Sequence, residues 1–171
     1  VISSELYAPA VYKDYKMTDA QIQQLYYAQA IVANSYLEYS LFEYSNHEND
    51  PYNICSTSHC QVYNPTKVHQ VAINAASICF ENLNGYEYVT VILYKPTSST
   101  YRYACTMFFS DCDDKGTITV DNHLYMTSKP CIDLFNGSNG HKKGFCQMGA
   151  AQRAKNRENF VSILHYYYTD I

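Results

Sequence analysis

The sequence predicts an α+β fold in a single domain spanning residues 1–171, and three stretches carry that prediction. The first is a helical apolar period in the N-terminal quarter. The second is a pair of β-like runs about Asn84-Gly85 in the middle, and the third is a short apolar stripe near the C-terminus. The chain's 171 residues suit one domain, and such a length buries about two-thirds of its unfolded surface without needing disulfides or metal.

The long helix opens at Thr18-Asp19-Ala20-Gln21, which fits a capping box, and runs from about Asp19 to the low forties. Ile22, Leu25, Ala28, Val32 and Tyr36 fall on one face, and Ala28, Ala30 and Ala33 permit close approach of another element. A long polar loop follows, from Tyr44 to Thr66, with Pro51, Pro65 and many Asn residues; loops of this length tend to be functional. Thr66 is placed to cap a second helix with Val68, Val71, Ala72, Ala75 and Ile78 inside. Asn84-Gly85 is a favoured pair for a tight turn, so Ile78–Tyr94 reads as a central antiparallel hairpin. A third strand is expected over Tyr101–Phe109 and a short one over Thr117–Val120. The tail is a Gly-rich stretch, then one final helix with Phe160, Ile163, Leu164 and Tyr167 on its inner face.

Charge excludes one class of partner. Twelve Lys+Arg against sixteen Asp+Glu give no basic field for phosphates, so nucleic acid is not expected. No apolar run reaches the roughly 18–20 residues of a membrane span. The chain starts at Val1 with no leader pattern, which reads as a piece of a longer protein whose targeting segment lies upstream. Nineteen Tyr and no Trp suit contact with sugars, although compositional bias is the better explanation for most of them. Seven cysteines are no tidy disulfide framework; pairing, metal binding and burial as small hydrophobes all stay open.

Four segments then occur in a telling order: `VISSEL`, `AQAIVANSY`, `ICSTSHCQVY` and `GHKKGFCQMGAAQRAK`, the last leading into `FVSILHYYYTDI`. In this the chain resembles the stage II sporulation protein D family, which includes the amidase-enhancer proteins of cell-wall turnover. That family carries V-x-x-S-E, an alanine-rich helix A-Q-A-V-A-A-R-T-Y, a loop like D-x-x-H-C-Q-x-Y, and H-G-x-G-M-S-Q-x-G-A before a helix ending in H-Y-Y. The likeness runs from Val1 to about Tyr168 and is loosest over Tyr94–Phe135.

The resemblance implies a peptidoglycan lytic transglycosylase acting on peptide-stripped glycan strands, with Glu5 as the single catalytic acid and base. Most glycosidases need two carboxyl groups. A lytic transglycosylase manages with one, because the sugar's own C6 hydroxyl is the nucleophile and a 1,6-anhydro muramic end results. Glu5 would protonate the glycosidic oxygen and then take the hydroxyl proton, which calls for a raised pKa. The resemblance also implies zinc held by His47, Cys55 and Cys60. His47 is preferred over His59, because adjacent residues seldom both reach one tetrahedral ion. A Cys55–Cys60 disulfide or two free thiols are the alternatives. Gln29, Asn34 and Tyr36 from the helix, with His141, Gly144 and Gln147 from the tail, are the implied glycan contacts. Tyr36 as core and Gln147 as a brace for the next helix are equally weighted readings.

The family's Arg is replaced by Asn34, its Gly-x by Lys142-Lys143, and its Ser by Cys146. Its S-G-G-x-T loop falls on Phe109–Thr117 or on the Tyr94–Thr100 segment. A non-catalytic, glycan-binding amidase-enhancer module is therefore the second reading, and a cysteine hydrolase using Cys146 with His141 or His165 the third. Implied partners are peptidoglycan glycan strands and a cell-wall amidase. The implied setting is extracytoplasmic, with membrane contact only through an upstream anchor.

Overall fold

The computed structural model describes residues 16–57, 59–60, 70–83, 86–97, 100–113, 115–130, 132 and 140–171. Glu5, Thr66, Val68, Asn84-Gly85 and the Gly-rich 133–139 stretch lie outside the described residues. Four α-helices and three small two-stranded sheets are seen among them.

Helix α1 spans Asp19–Phe42. The Thr18 hydroxyl accepts from the Gln21 N–H, and the Gln21 side-chain oxygen accepts from the Thr18 N–H at 2.8 Å, so two orphan donors are satisfied by the expected box. The sequence predicts one buried face, whereas the structure buries Leu25, Tyr26, Ala28, Ala30, Ile31 and Val32 together. A helix closed off on several sides is the centre of its domain. Helices α2 (Gln70–Ala76), α3 (Gln147–Lys155) and α4 (Phe160–Tyr167) all pack on it. Polar side chains of α1 then fasten the chain that crosses it. Ser35 Oγ accepts from the Ile92 N–H at 2.8 Å, Asn34 Nδ2 donates to the Thr90 carbonyl at 3.3 Å, and Thr106 Oγ1 donates to the Val32 carbonyl at 2.7 Å.

On α2, Ala72 and Ala75 face the core as expected, but Val71 is 40% exposed. In a helix of seven residues, the i, i+3 pair takes the only covered stripe. A 3₁₀ turn, Ser77–Cys79, leads to β1 (Phe80–Leu83) and β2 (Tyr86–Val89). They pair antiparallel, in a register that sets Phe80 opposite Val89 and Leu83 opposite Tyr86. Strand β3 (Leu93–Tyr94) pairs antiparallel with β4 (Arg102–Tyr103).

The expected strand over Tyr101–Phe109 is broken in two. Between β4 and β5 (Phe108–Phe109) the backbone turns: Ala104 N–H donates to Ile92, Cys105 N–H to the Tyr125 hydroxyl, and Met107 N–H to Cys105. β5 pairs in parallel with β6 (Phe145–Cys146), a crossover pairing absent from the sequence reading. Thr117–Val120 is no strand. It holds one bridge, Ile118 to Lys143, and otherwise folds against 126–129.

The tail also contains one helix more than expected. Cys146 caps α3, its Sγ accepting from the Gly149 N–H at 3.3 Å. A Cβ at Gly149 would run into the Tyr167 hydroxyl, so this glycine serves helix packing. Asn159 caps α4, which buries Ile163, Leu164 and Tyr167 as expected, while half-buried Phe160 meets the edge of Tyr27. Cys112 is held in a disulfide. No helix among the described residues is long and apolar enough to cross a membrane.

Candidate functional site

The C-terminal half of α1 runs toward the polar loop and brings aromatic residues to its edge. There a cavity of about 320 Å³ opens between Tyr36, Tyr39 and Ser40 of α1, Tyr44, Asn46, His59 and Cys60 of the loop, and Cys105, Met107, Phe108, His123, His141 and Lys143. Its volume is that of a small-ligand pocket. Burial raises the Tyr36 and Tyr39 phenols to about 12 each, so both are protonated hydrogen-bonding groups at neutral pH. Burial, followed by the Lys143 charge, lowers the pKa of both His123 and His141. The Tyr125 hydroxyl accepts from the Cys105 N–H at 2.7 Å and lies 3.1 Å from His123 Nδ1.

One edge of this cavity is shared with a metal-type cluster. Ligand atoms of His47, Cys55, His59 and Cys60 all lie within 4.8 Å of one another. His47 Nε2 is 3.3 Å from His59 Nδ1 and 3.2 Å from Cys60 Sγ, and Cys60 Sγ is 3.8 Å from His59 Nδ1. Ligand bonds of about 2.0–2.1 Å to nitrogen and about 2.3 Å to sulfur give tetrahedral edges of roughly 3.3 Å for N–N and about 3.6 Å for N–S. The His47, His59 and Cys60 spacings are close to those edges, and with Cys55 the four residues form a group that could hold a metal ion.

Local chemistry prepares these donors. Asp50 Oδ2 lies 2.7 Å from His47 Nδ1, raises that imidazole's pKa and turns its Nε2 lone pair toward the cluster. The Cys55 thiol is lowered to about 6, first by its contact with the Thr57 hydroxyl. Burial raises the Cys60 thiol instead. Both cysteines are free thiols, so the disulfide alternative is not what the structure contains. The preference for His47 over His59 needs correcting, since the two histidines converge. A turn about Thr57 is the cause. Thr57 Oγ1 accepts from the His59 N–H and its carbonyl from the Cys60 N–H, so adjacent side chains reach one point.

The implied glycan contacts divide. Tyr36 and His141 line the cavity. Gln29 and Gln147 sit in the core, Gln147 Nε2 donating to Gln29 Oε1 at 3.3 Å. Asn34 is 9% exposed and bonded to Thr90. Gly144 is a backbone requirement: its φ is +72°, and a Cβ there would strike the Met107 carbonyl, which accepts from Phe145 N–H and Tyr168 Oη. Cys146 is fully buried as a helix cap, and His165 is exposed. His123 had no sequence signal, being one histidine in a turn-rich stretch. Lys143 was visible only as a departure from the family pattern.

Against known proteins, no curated sequence and no solved structure matches the chain. One family model does, and it spans Glu5, α1 and the His/Cys loop. Over residues 2–82 the chain matches the stage II sporulation protein family, which is linked to peptidoglycan hydrolysis in sporulation and acts at the cell envelope.

Proposed function

We propose that this protein is a peptidoglycan lytic transglycosylase that cleaves peptide-stripped glycan strands, with Glu5 as its acid and base. The observation that carries the reading is the convergence of Tyr36, His141 and the His59–Cys60 edge of the metal-type cluster on one sugar-sized cavity, in a chain whose residues 2–82 match the family. Glu5 protonates the glycosidic oxygen as the bond to the muramic C1 breaks. The carboxylate so formed accepts the C6 hydroxyl proton while that oxygen closes on C1, giving a 1,6-anhydro end and a free sugar end. Tyr36 and Tyr39 supply phenol groups and apolar faces to a sugar ring. His141 and His123, neutral at pH 7, act as hydrogen-bonding partners.

Zinc suits the two-thiolate, two-imidazole donor set of His47, Cys55, His59 and Cys60. Four protein donors close its coordination, so the ion would shape the loop beside the cavity. The protein acts on the glycan strands of the envelope, beside an amidase that strips the peptides.

Glu5→Gln keeps the side chain's shape and removes its proton. The variant is expected to release no anhydro-ended glycans from peptide-stripped peptidoglycan while still binding it; an unchanged product profile would overturn the assignment. Asn34, buried and bonded to Thr90 where the family has Arg, favours a second reading as a glycan-binding amidase-enhancer module. Retention on stripped sacculi with no new chain ends, by the wild-type protein, selects that reading.

A further inference from the structure

Lys142 and Lys143 are neighbours with different fates. Lys142 is paired with Asp113 across the 113–142 gap. Lys143 has no ion pair among the described residues and lines the cavity, half-buried. No Asp or Glu appears in the described lining of that cavity, although the chain carries a net charge of −4. Lys143 is thus a half-buried lysine in a described wall that holds no carboxylate. Its charge adds to burial in lowering His123 and His141, and it opposes the rise that burial gives the Cys105 thiol. Its backbone is well anchored. The Lys143 N–H donates to His141 Nδ1 at 3.1 Å, the residue bridges to Ile118, and Gly144 follows tight against the Met107 carbonyl.

An unpaired ammonium in a pocket of phenols and imidazoles recognises an anion on an otherwise neutral, hydroxyl-rich ligand. Resting on the glycan reading above, we infer that Lys143 is a specificity residue that binds the free lactyl carboxylate of peptide-stripped muramic acid. In an unstripped strand that carboxyl is an amide and carries no charge at that position. The N-acetylglucosamine units carry none at all. A single lysine therefore distinguishes strands an amidase has processed from those it has not. A hydrogen bond between charged groups in a partly dry site separates the two ligands by roughly 10- to 100-fold.

The test uses the whole chain and two probes: stripped glycan oligomers, and the same oligomers with their carboxyl groups reduced to alcohols. Wild-type protein is expected to bind the reduced glycan roughly 10- to 100-fold more weakly. Lys143→Met is expected to bind both probes equally, at about the level of wild type on the reduced one, and Lys143→Arg to restore part of the preference. The wild-type comparison needs no variant and so does not depend on one folding. Equal binding of both probes by wild type, or a preference that survives Lys143→Met, overturns the role of Lys143 and leaves the glycan reading standing. Binding of neither probe overturns both.

Discussion

Around the middle of α1, Tyr26, Ala28, Ala30 and Val32 are wholly excluded from water, and their neighbours on α2, α3 and α4 are mostly apolar. A few residues beyond the end of the same helix, the described residues of the loop from Ser45 to Cys60 have almost no apolar interior. Its order comes from polar atoms: Ser45 Oγ with the Asn53 carbonyl, Asp50 with His47, and Thr57 with the backbone of His59 and Cys60. One region is organised by burying area, the other by four donors turned to one point. The comparison teaches where each kind of perturbation should be felt. Packing changes should unfold the molecule, and loss of metal should loosen only the wall that His59 and Cys60 give the cavity.

The largest effect is expected from the framework. Gly144→Ala forces a side chain into the left-handed region and against the Met107 carbonyl, so it is expected to cost on the order of 3 kcal/mol or more in denaturant unfolding. Ile163→Ala, in the same core, is expected to cost about 2–5 kcal/mol while leaving metal stoichiometry unchanged. A loss of metal on Ile163→Ala would show that the two regions are not independent.

Next comes the loop. Chelation, or His59→Ala, is expected to expose residues 44–60 to limited proteolysis, with fragments ending there and a helical circular-dichroism signal largely retained. Global unfolding on chelation would contradict the comparison. Asp50→Asn removes the carboxylate behind His47 and is expected to weaken metal binding about 10- to 100-fold in a competition titration with a chromophoric chelator.

The smallest effect is in pH. His123 and His141 have folded pKa values below the unfolded value of about 6.5. The unfolded chain therefore binds more protons between those values, and the stability these two residues contribute, present above about 6.5, is lost as pH falls through their folded values. Thermal unfolding between pH 7 and pH 5 should show a drop that becomes shallower in His141→Gln.

Some of this was legible in residue order. Thr18 and Gln21 announce α1, since a capping box is a local device. The β1–β2 pairing and the inner face of α4 are local too. α3 was hidden because its first turn carries Gly149 and its buried residues include Gln147 and Gln152, polar positions that tertiary packing covers. The parallel β5–β6 pair joins residues far apart in the chain and leaves no periodic trace. At the site, the sequence pointed to His47, Cys55, Cys60, Tyr36 and His141. It left out His59, because spacing along the chain says nothing of how the turn at Thr57 aims two adjacent side chains. Gln29 and Gln147 look like ligand-binding residues in a motif, but in three dimensions they bond to one another in the core.

The central claim is that the sugar's own hydroxyl, not water, displaces the glycosidic bond under the control of Glu5. Digestion of peptide-stripped glycan in heavy-oxygen water, read by mass spectrometry, tests it most directly. The account predicts muramic ends one water lighter than hydrolysed ends and free of heavy oxygen, all absent with Glu5→Gln. Heavy oxygen at the new muramic C1 would contradict it.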